Sequence, residues 1–240
     1  KAQLPEHVID DLMALFEVVH RPIAVRSSSL LEDSHYQPFA GIYSTYMIPK
    51  PNDRESMMQL LRSAIKAVYA SVFYRDSKAY LTATQNLIDQ EKMAIVLQEV
   101  VGGEHGDLFF PTLSGVARSL NYYPVGDEQP EDGIANVALG LGKYIVDGGL
   151  TLRFSPRHPR HILQLSSIDT ALKETQRQFY ALDLKHVSPE FKTDDAFNLL
   201  KPRIKEIETL PELRYIASTY DPYDQTIRDG HYPGGRTIVS

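Results

Sequence analysis

The chain has 240 residues and a mass of 27.1 kDa, which suits one large α/β domain or two subdomains and allows a real core without covalent staples. Hydrophobic residues make up 42% and charged residues 23%, close to the globular average, which excludes disorder, coiled coil and collagen. The net charge of −6 is spread evenly over both halves and leaves no basic footprint for nucleic acid, while the lack of cysteine removes disulfides, thiolate chemistry and zinc–thiolate sites.

Lys1-Ala2-Gln3-Leu4-Pro5 leads into an amphipathic stretch and not into an apolar leader. No apolar run reaches the roughly 18 residues of a membrane span. No membrane association is therefore expected, and the cytoplasm is the expected compartment. Pro5 followed by Ile9, Leu12, Met13 and Phe16 predicts a helix over 6–19 with one buried face, ended by Arg21-Pro22. Ile23-Ala24-Val25 predicts a short buried strand that delivers Arg26-Ser27-Ser28-Ser29 to its end. Residues 32–41 read as a loop and 42–48 as β-rich. Asp53 is a plausible N-cap for a helix through about Ser71, with Leu60, Leu61, Ala64, Ile65 and Val68 as its stripe. A second helix is expected from Arg75 to Thr84.

Met93 to Val101 carries the strongest strand signal, and its continuous apolar run predicts burial on both faces. Residues 108–121 read as β structure interrupted by Pro111 and Gly115, 126–133 as an acidic loop, 134–139 as apolar, and 143–147 as a possible helix closed by Gly148-Gly149. Further on, 176–184 and 213–218 are strand candidates. The tail after Tyr220, rich in Asp, Gly and Pro, is expected to pack little. Strands mixed with helices favour an α/β or α+β domain over an all-β one.

Arg26 is the first candidate for chemistry, because a guanidinium at the end of a buried strand calls for an anion and its planar fork suits phosphate oxygens. The serines after it offer hydroxyl and backbone N–H groups. The competing reading pairs Arg26 with Glu32 or Asp33. Phe39-Ala40-Gly41 closes a polar loop whose small residues let backbone N–H groups approach a phosphate, although an ordinary turn explains it as well. Gln98-Glu99-Val100-Val101 ends the apolar strand next to Gly102-Gly103 and could present backbone groups and apolar walls to a flat heterocycle. Gly140-Leu141-Gly142-Lys143 fails as a phosphate loop, since Asn136 stands at the first glycine position and Tyr144 at the Ser/Thr position. His158-Pro159-Arg160-His161 reads as a surface loop. No metal ligand set can be named.

Four segments taken together resemble one family. Val25-Arg26-Ser27-Ser28-Ser29-Leu30-Leu31-Glu32-Asp33 followed by Phe39-Ala40-Gly41 is similar to the V-R-S-S-x-x-x-E-D and F-A-G pattern of the N-terminal ATP-binding domain of phosphoenolpyruvate synthase and pyruvate phosphate dikinase. Leu97-Gln98-Glu99-Val100-Val101 is similar to its V-Q-x-M-V strand, Ser114-Gly115-Val116-Ala117 to its S-G-V-x-F-T segment, and Gly140 to Gly148 to G-L-G-E-x-V-V-x-G. The resemblance implies an ATP-grasp-like fold with two subdomains around a nucleotide cleft, and a change of subdomain near residues 90–102 within a single domain over 1–240. It implies that Arg26, as the catalytic contact, holds ATP phosphates together with Ser27. Phe39, Ala40 and Gly41 would belong to a covering loop, and Gln98, Glu99, Val100 and Val101 would read adenine. ATP and Mg2+ are the implied cofactors. The implied partners are a phosphohistidine domain and a pyruvate-binding domain of a longer parent chain.

The pattern also departs from the family. No Gly-Lys segment precedes Arg26, no metal-binding Glu and Q-x-R strand follows Arg214, Arg118 and Leu120 fall where F-T-R is usual, and Lys143 replaces a glutamate. These departures suggest a fragment incomplete at both ends that is inactive in isolation. The alternative is a regulatory nucleotide-binding module that keeps the fold without turnover.

Overall fold

The computed structural model describes residues 3–29, 41–50, 53–83, 92–187 and 190–240. In chain order the elements are α1 (Glu6–Val18), β1 (Ile23–Ser29), β2 (Tyr46–Ile48), α2 (Arg54–Ser71), α3 (Arg75–Ala83) and β3 (Met93–Glu99). There follow β4 (Gly103–His105), β5 (Leu108–Phe110), β6 (Ser114–Arg118), β7 (Ile134–Ala138), α4 (Lys143–Val146), β8 (Leu152–Phe154), α5 (Ile168–Glu174), β9 (Ala181–Asp183) and β10 (Leu199–Leu200). The chain closes with α6 (Leu213–Ile216), β11 (Ala217–Asp221), β12 (Thr226–Asp229) and β13 (Arg236–Val239). It divides into two compact units, Lys1–Val101 with Leu182–Leu199, and Gly102–Ala181 with Leu200–Ser240.

The first unit is built on an antiparallel sheet of order β2-β1-β3. Its longest helix, α2, starts where the Asp53 carboxylate accepts a 2.7 Å hydrogen bond from the Ser56 N–H, filling one of the donors a helix start leaves open. That bond also holds the Asp53 carboxyl below the usual value of 3.8. The expected stripe of α2 is buried throughout, and it packs with Ile23, Val25, Tyr46 and Ile48 of the sheet into one core. The Tyr46 ring lies 5.0 Å from the Phe191 ring, and its hydroxyl donates to the Thr193 carbonyl at 2.9 Å. Burial pushes the Tyr46 phenol up to about 12.

Two expectations for this sheet are corrected. β1 does not stop at Val25. It continues to Ser29, because all seven residues pair with β3, from Ile23 opposite Glu99 to Ser29 opposite Met93. Serine has little strand preference of its own, so the neighbouring strand holds it there. Arg26 is therefore a mid-strand residue. β3 is not buried on both faces: Ala94, Val96 and Gln98 are exposed, while Met93, Ile95 and Leu97 pack against the core. Within this unit the core covers one face of the antiparallel sheet, and the pleat turns alternate residues away from it.

The second unit contains the β4–β5 hairpin and two three-stranded antiparallel sheets, β6-β7-β8 and β12-β11-β13. The candidate strand at 213–218 splits into α6 and the start of β11, and the candidate strand at 176–184 shrinks to β9. α5 was not expected at all, although Ser167 caps it by accepting from the Thr170 N–H at 3.2 Å. The tail is ordered sheet: β12 and β13 flank β11, and Ile238 and Val239 are buried. The acidic loop before β7 is also organised. Buried Glu128 accepts from Asn121 Nδ2 at 2.9 Å and from the Val125 N–H at 3.1 Å. Arg153 donates to the Asn121 side-chain oxygen at 3.1 Å and to the Tyr123 carbonyl at 2.6 Å.

Candidate functional site

β1 and β3 set out the candidate site on the face of their sheet away from α2. Strand alternation puts Arg26 and Ser28 on this face and turns Val25, Ser27 and Ser29 toward the core. Arg26 pairs with Val96 across the ladder, and its guanidinium reaches diagonally to donate to Gln98 Oε1 at 3.3 Å. Arg26 is exposed and has no ion pair among the described residues. Ala94 and Val96, the latter 42% exposed, lie beside these polar groups. A cation and an amide next to a small apolar surface can hold an anion at one end of a ligand and a flat apolar group at the other.

The other sequence candidates do not all share this face. Ser27 is buried on the opposite side, so Ser28 is the serine that accompanies Arg26; the period of two was the signal for it. The Glu99 side chain accepts from the His20 backbone N–H at 3.2 Å. Val100 is buried and its N–H donates to the Pro22 carbonyl at 2.8 Å, whereas Val101 is 72% exposed. Gly41 is exposed with φ +85°, a left-handed conformation that favours glycine. Phe39, Ala40, Glu32 and Asp33 lie outside the described residues.

The glycine motifs of the second unit do structural work. Gly140 has φ +87°, and a Cβ there would stand 2.8 Å from the Phe179 ring and from the Tyr180 carbonyl oxygen. The Gly140 N–H donates to the Pro111 carbonyl, and its own carbonyl accepts from Ser114 Oγ at 2.6 Å. Ser114 in turn pairs with Ala138 in the β6–β7 ladder. Leu141 is buried, and Lys143 forms an ion pair with Asp147 one turn along α4 at 3.1 Å. The Ser-Gly-Val and Gly-Leu-Gly segments thus meet each other. His158 and His161 stack at 5.8 Å, with His158 Nε2 3.4 Å from Asp132.

Comparison with known families then decides the affiliation, since residues 1–220 match the pyruvate phosphate dikinase AMP/ATP-binding domain. The chain belongs to that family. Its mixed helix and strand architecture with several antiparallel sheets is the ATP-grasp-like fold of this domain. The chain is also similar to a Bacillus subtilis (strain 168) protein described as the uncharacterized phosphotransferase YvkC, with 32% identity over 132 residues. The match covers 55% of this chain and 14% of that protein.

Family membership makes the chain a nucleotide-binding domain of the pyruvate phosphate dikinase kind. Among the described residues no group of three or more His, Asp or Glu side chains could hold a metal ion. Magnesium usually relies on one or two carboxylates together with substrate phosphates, so an ion carried by a nucleotide does not require such a group. No helix among the described residues is long and apolar enough to cross a membrane.

Proposed function

We propose that this chain is the ATP-binding part of a cytoplasmic phosphotransferase resembling phosphoenolpyruvate synthase and pyruvate phosphate dikinase. In such a protein, ATP, accompanied by Mg2+, phosphorylates a histidine on another domain of a longer chain, and pyruvate receives the phosphate. Arg26 holds the ATP phosphates from mid-strand, Ser28 stands beside it on the same face, and residues 98–101 receive the base. The observation that carries this reading is the exposed Arg26 guanidinium, joined to Gln98 and without a carboxylate among the described residues. The protein contributes charge and position: the arginine fork orients the phosphates, and the apolar side chains of β3 shield the base from water.

Calorimetric titration of the chain with adenosine, AMP, ADP and ATP tests the assignment. Affinity should climb with each added phosphate. Arg26→Ala should flatten that climb and weaken ATP by roughly 10- to 100-fold, the equivalent of one lost charge-assisted contact of about 1.5–3 kcal/mol. An Arg26→Ala variant that still separates ATP from adenosine as the wild type does would remove Arg26 from the site.

A further inference from the structure

The second unit holds a basic hollow that the ATP reading does not use. Its cavity of about 380 Å3 is lined by Arg177, Arg203, Lys205, Glu208, Arg236 and Thr237, among others. Arg177 follows α5 and Arg236 opens β13, yet both guanidiniums donate to one atom, the Leu172 carbonyl oxygen, at 2.9 and 2.8 Å. The arrangement puts two like charges side by side. Partial burial, and then the neighbouring Arg177, lower the Arg236 pKa from the ordinary arginine value. Arg203 and Lys205 bring two more cations, and none of the four has an ion pair among the described residues. The one carboxylate of the lining, Glu208, is engaged by the Thr237 hydroxyl at 3.3 Å, and that hydroxyl also lies 3.3 Å from His231 Nδ1.

Cations on a solvated surface ordinarily spread apart. Here two different elements aim guanidiniums at one carbonyl, and each starts from an anchored backbone: the Ile204 N–H donates to the Arg177 carbonyl at 3.0 Å, and Arg236 pairs with Tyr220 in the β11–β13 ladder. Each guanidinium has five N–H donors and uses one of them on Leu172, so unused donors remain for an acceptor with several oxygens. A dianion with tetrahedral oxygens suits this set of forks and relieves the repulsion between them. The volume lies within the range of small-molecule pockets.

We propose that this hollow binds a phosphate group, carried either by free phosphate or by a small phosphate monoester. It is a site separate from the one at Arg26 and stands whether or not ATP binds there. The test is calorimetric titration of the full 240-residue chain in a chloride buffer, with inorganic phosphate in one arm and glycerol 3-phosphate in the other. Saturable binding is expected in at least one arm, and the tighter arm identifies the source of the phosphate. Arg177→Gln/Arg236→Gln should weaken that binding at least about tenfold, or ~1.4 kcal/mol. Arg203→Gln removes a cation whose side chain holds no hydrogen bond among the described residues, so it tests the site without disturbing the fold; it should weaken binding several-fold. Absence of saturable binding in both arms overturns the proposal. So does unchanged affinity in both variants, or loss of the binding in Arg26→Gln, which would move the phosphate to the other unit.

Discussion

Replacing Gly140 by alanine separates two costs that glycine avoids. The first is conformational: at φ +87° an L side chain meets its own backbone, at about 1–2 kcal/mol. The second is spatial, because the new methyl would lie 2.8 Å from the Phe179 ring and 2.8 Å from the Tyr180 carbonyl oxygen. Phe179 is fully buried, and its ring packs on Phe110 at a centroid distance of 4.8 Å, so it has nowhere to withdraw. Overpacking of this kind costs roughly 1–3 kcal/mol. Gly140→Ala should therefore destabilise the second unit by about 2–5 kcal/mol in sum, a large part of a typical domain's stability. Gly148 is the matched control: its φ is +77°, but a Cβ there meets nothing within 4 Å, so Gly148→Ala should carry only the first cost. Urea unfolding followed by circular dichroism measures both, and hydrogen exchange at the Leu141 amide, which donates to the Tyr180 carbonyl at 2.9 Å, reports the local opening. Equal destabilisation in the two variants would refute the packing argument.

Further outcomes concern individual buried groups. Tyr46→Phe leaves the Thr193 carbonyl without its hydroxyl partner and should cost about 1 kcal/mol in urea unfolding. Burial raises the Tyr46 phenol to about 12 from an ordinary value of 10.0, so the folded state keeps a proton that the unfolded chain releases earlier. The stability tied to this group is intact below pH 10.0 and is lost as the pH rises towards 12; an alkaline unfolding series should show that loss in the wild type and less of it in Tyr46→Phe. Glu128→Ala strips the acceptor from Asn121 and Val125 and should cost about 1.5–3 kcal/mol, with new protease cleavage confined to residues 119–133. Cleavage elsewhere, or none, would show that Glu128 does not organise this loop.

Much of the first unit can be read from its residues. The Asp53 cap and the spacing of Leu60, Leu61, Ala64, Ile65 and Val68 announce α2, and both appear in the structure as expected. The run 93–101 announces β3, but an unbroken apolar run looks the same whether one face is covered or two, so the exposure of Ala94 and Val96 was hidden. Arg26 was recognisable as the candidate cation; its mid-strand position was not, because three serines carry no strand signal and only the pairing with 93–95 extends β1 through them. Leu213-Arg214-Tyr215-Ile216 illustrates a different limit. Four residues with apolar ends fit a helical turn or a strand equally well, and packing selects the turn. β13 went unread because Thr237, Ile238 and Val239 are too few to stand out beside Gly234-Gly235, although they have the β-branched character of a strand. The convergence of Arg177 and Arg236 lies 59 positions apart along the chain and comes from tertiary structure alone.

The bond from Ser114 to the Gly140 carbonyl bears on how relatives of this chain should be sorted. The two signatures it joins serve the architecture of this chain: a clash-free corner and a laced pair of strands. A descendant could lose every trace of catalysis and still display both. Surveys that rank members by those glycines would therefore sort by fold and not by catalysis.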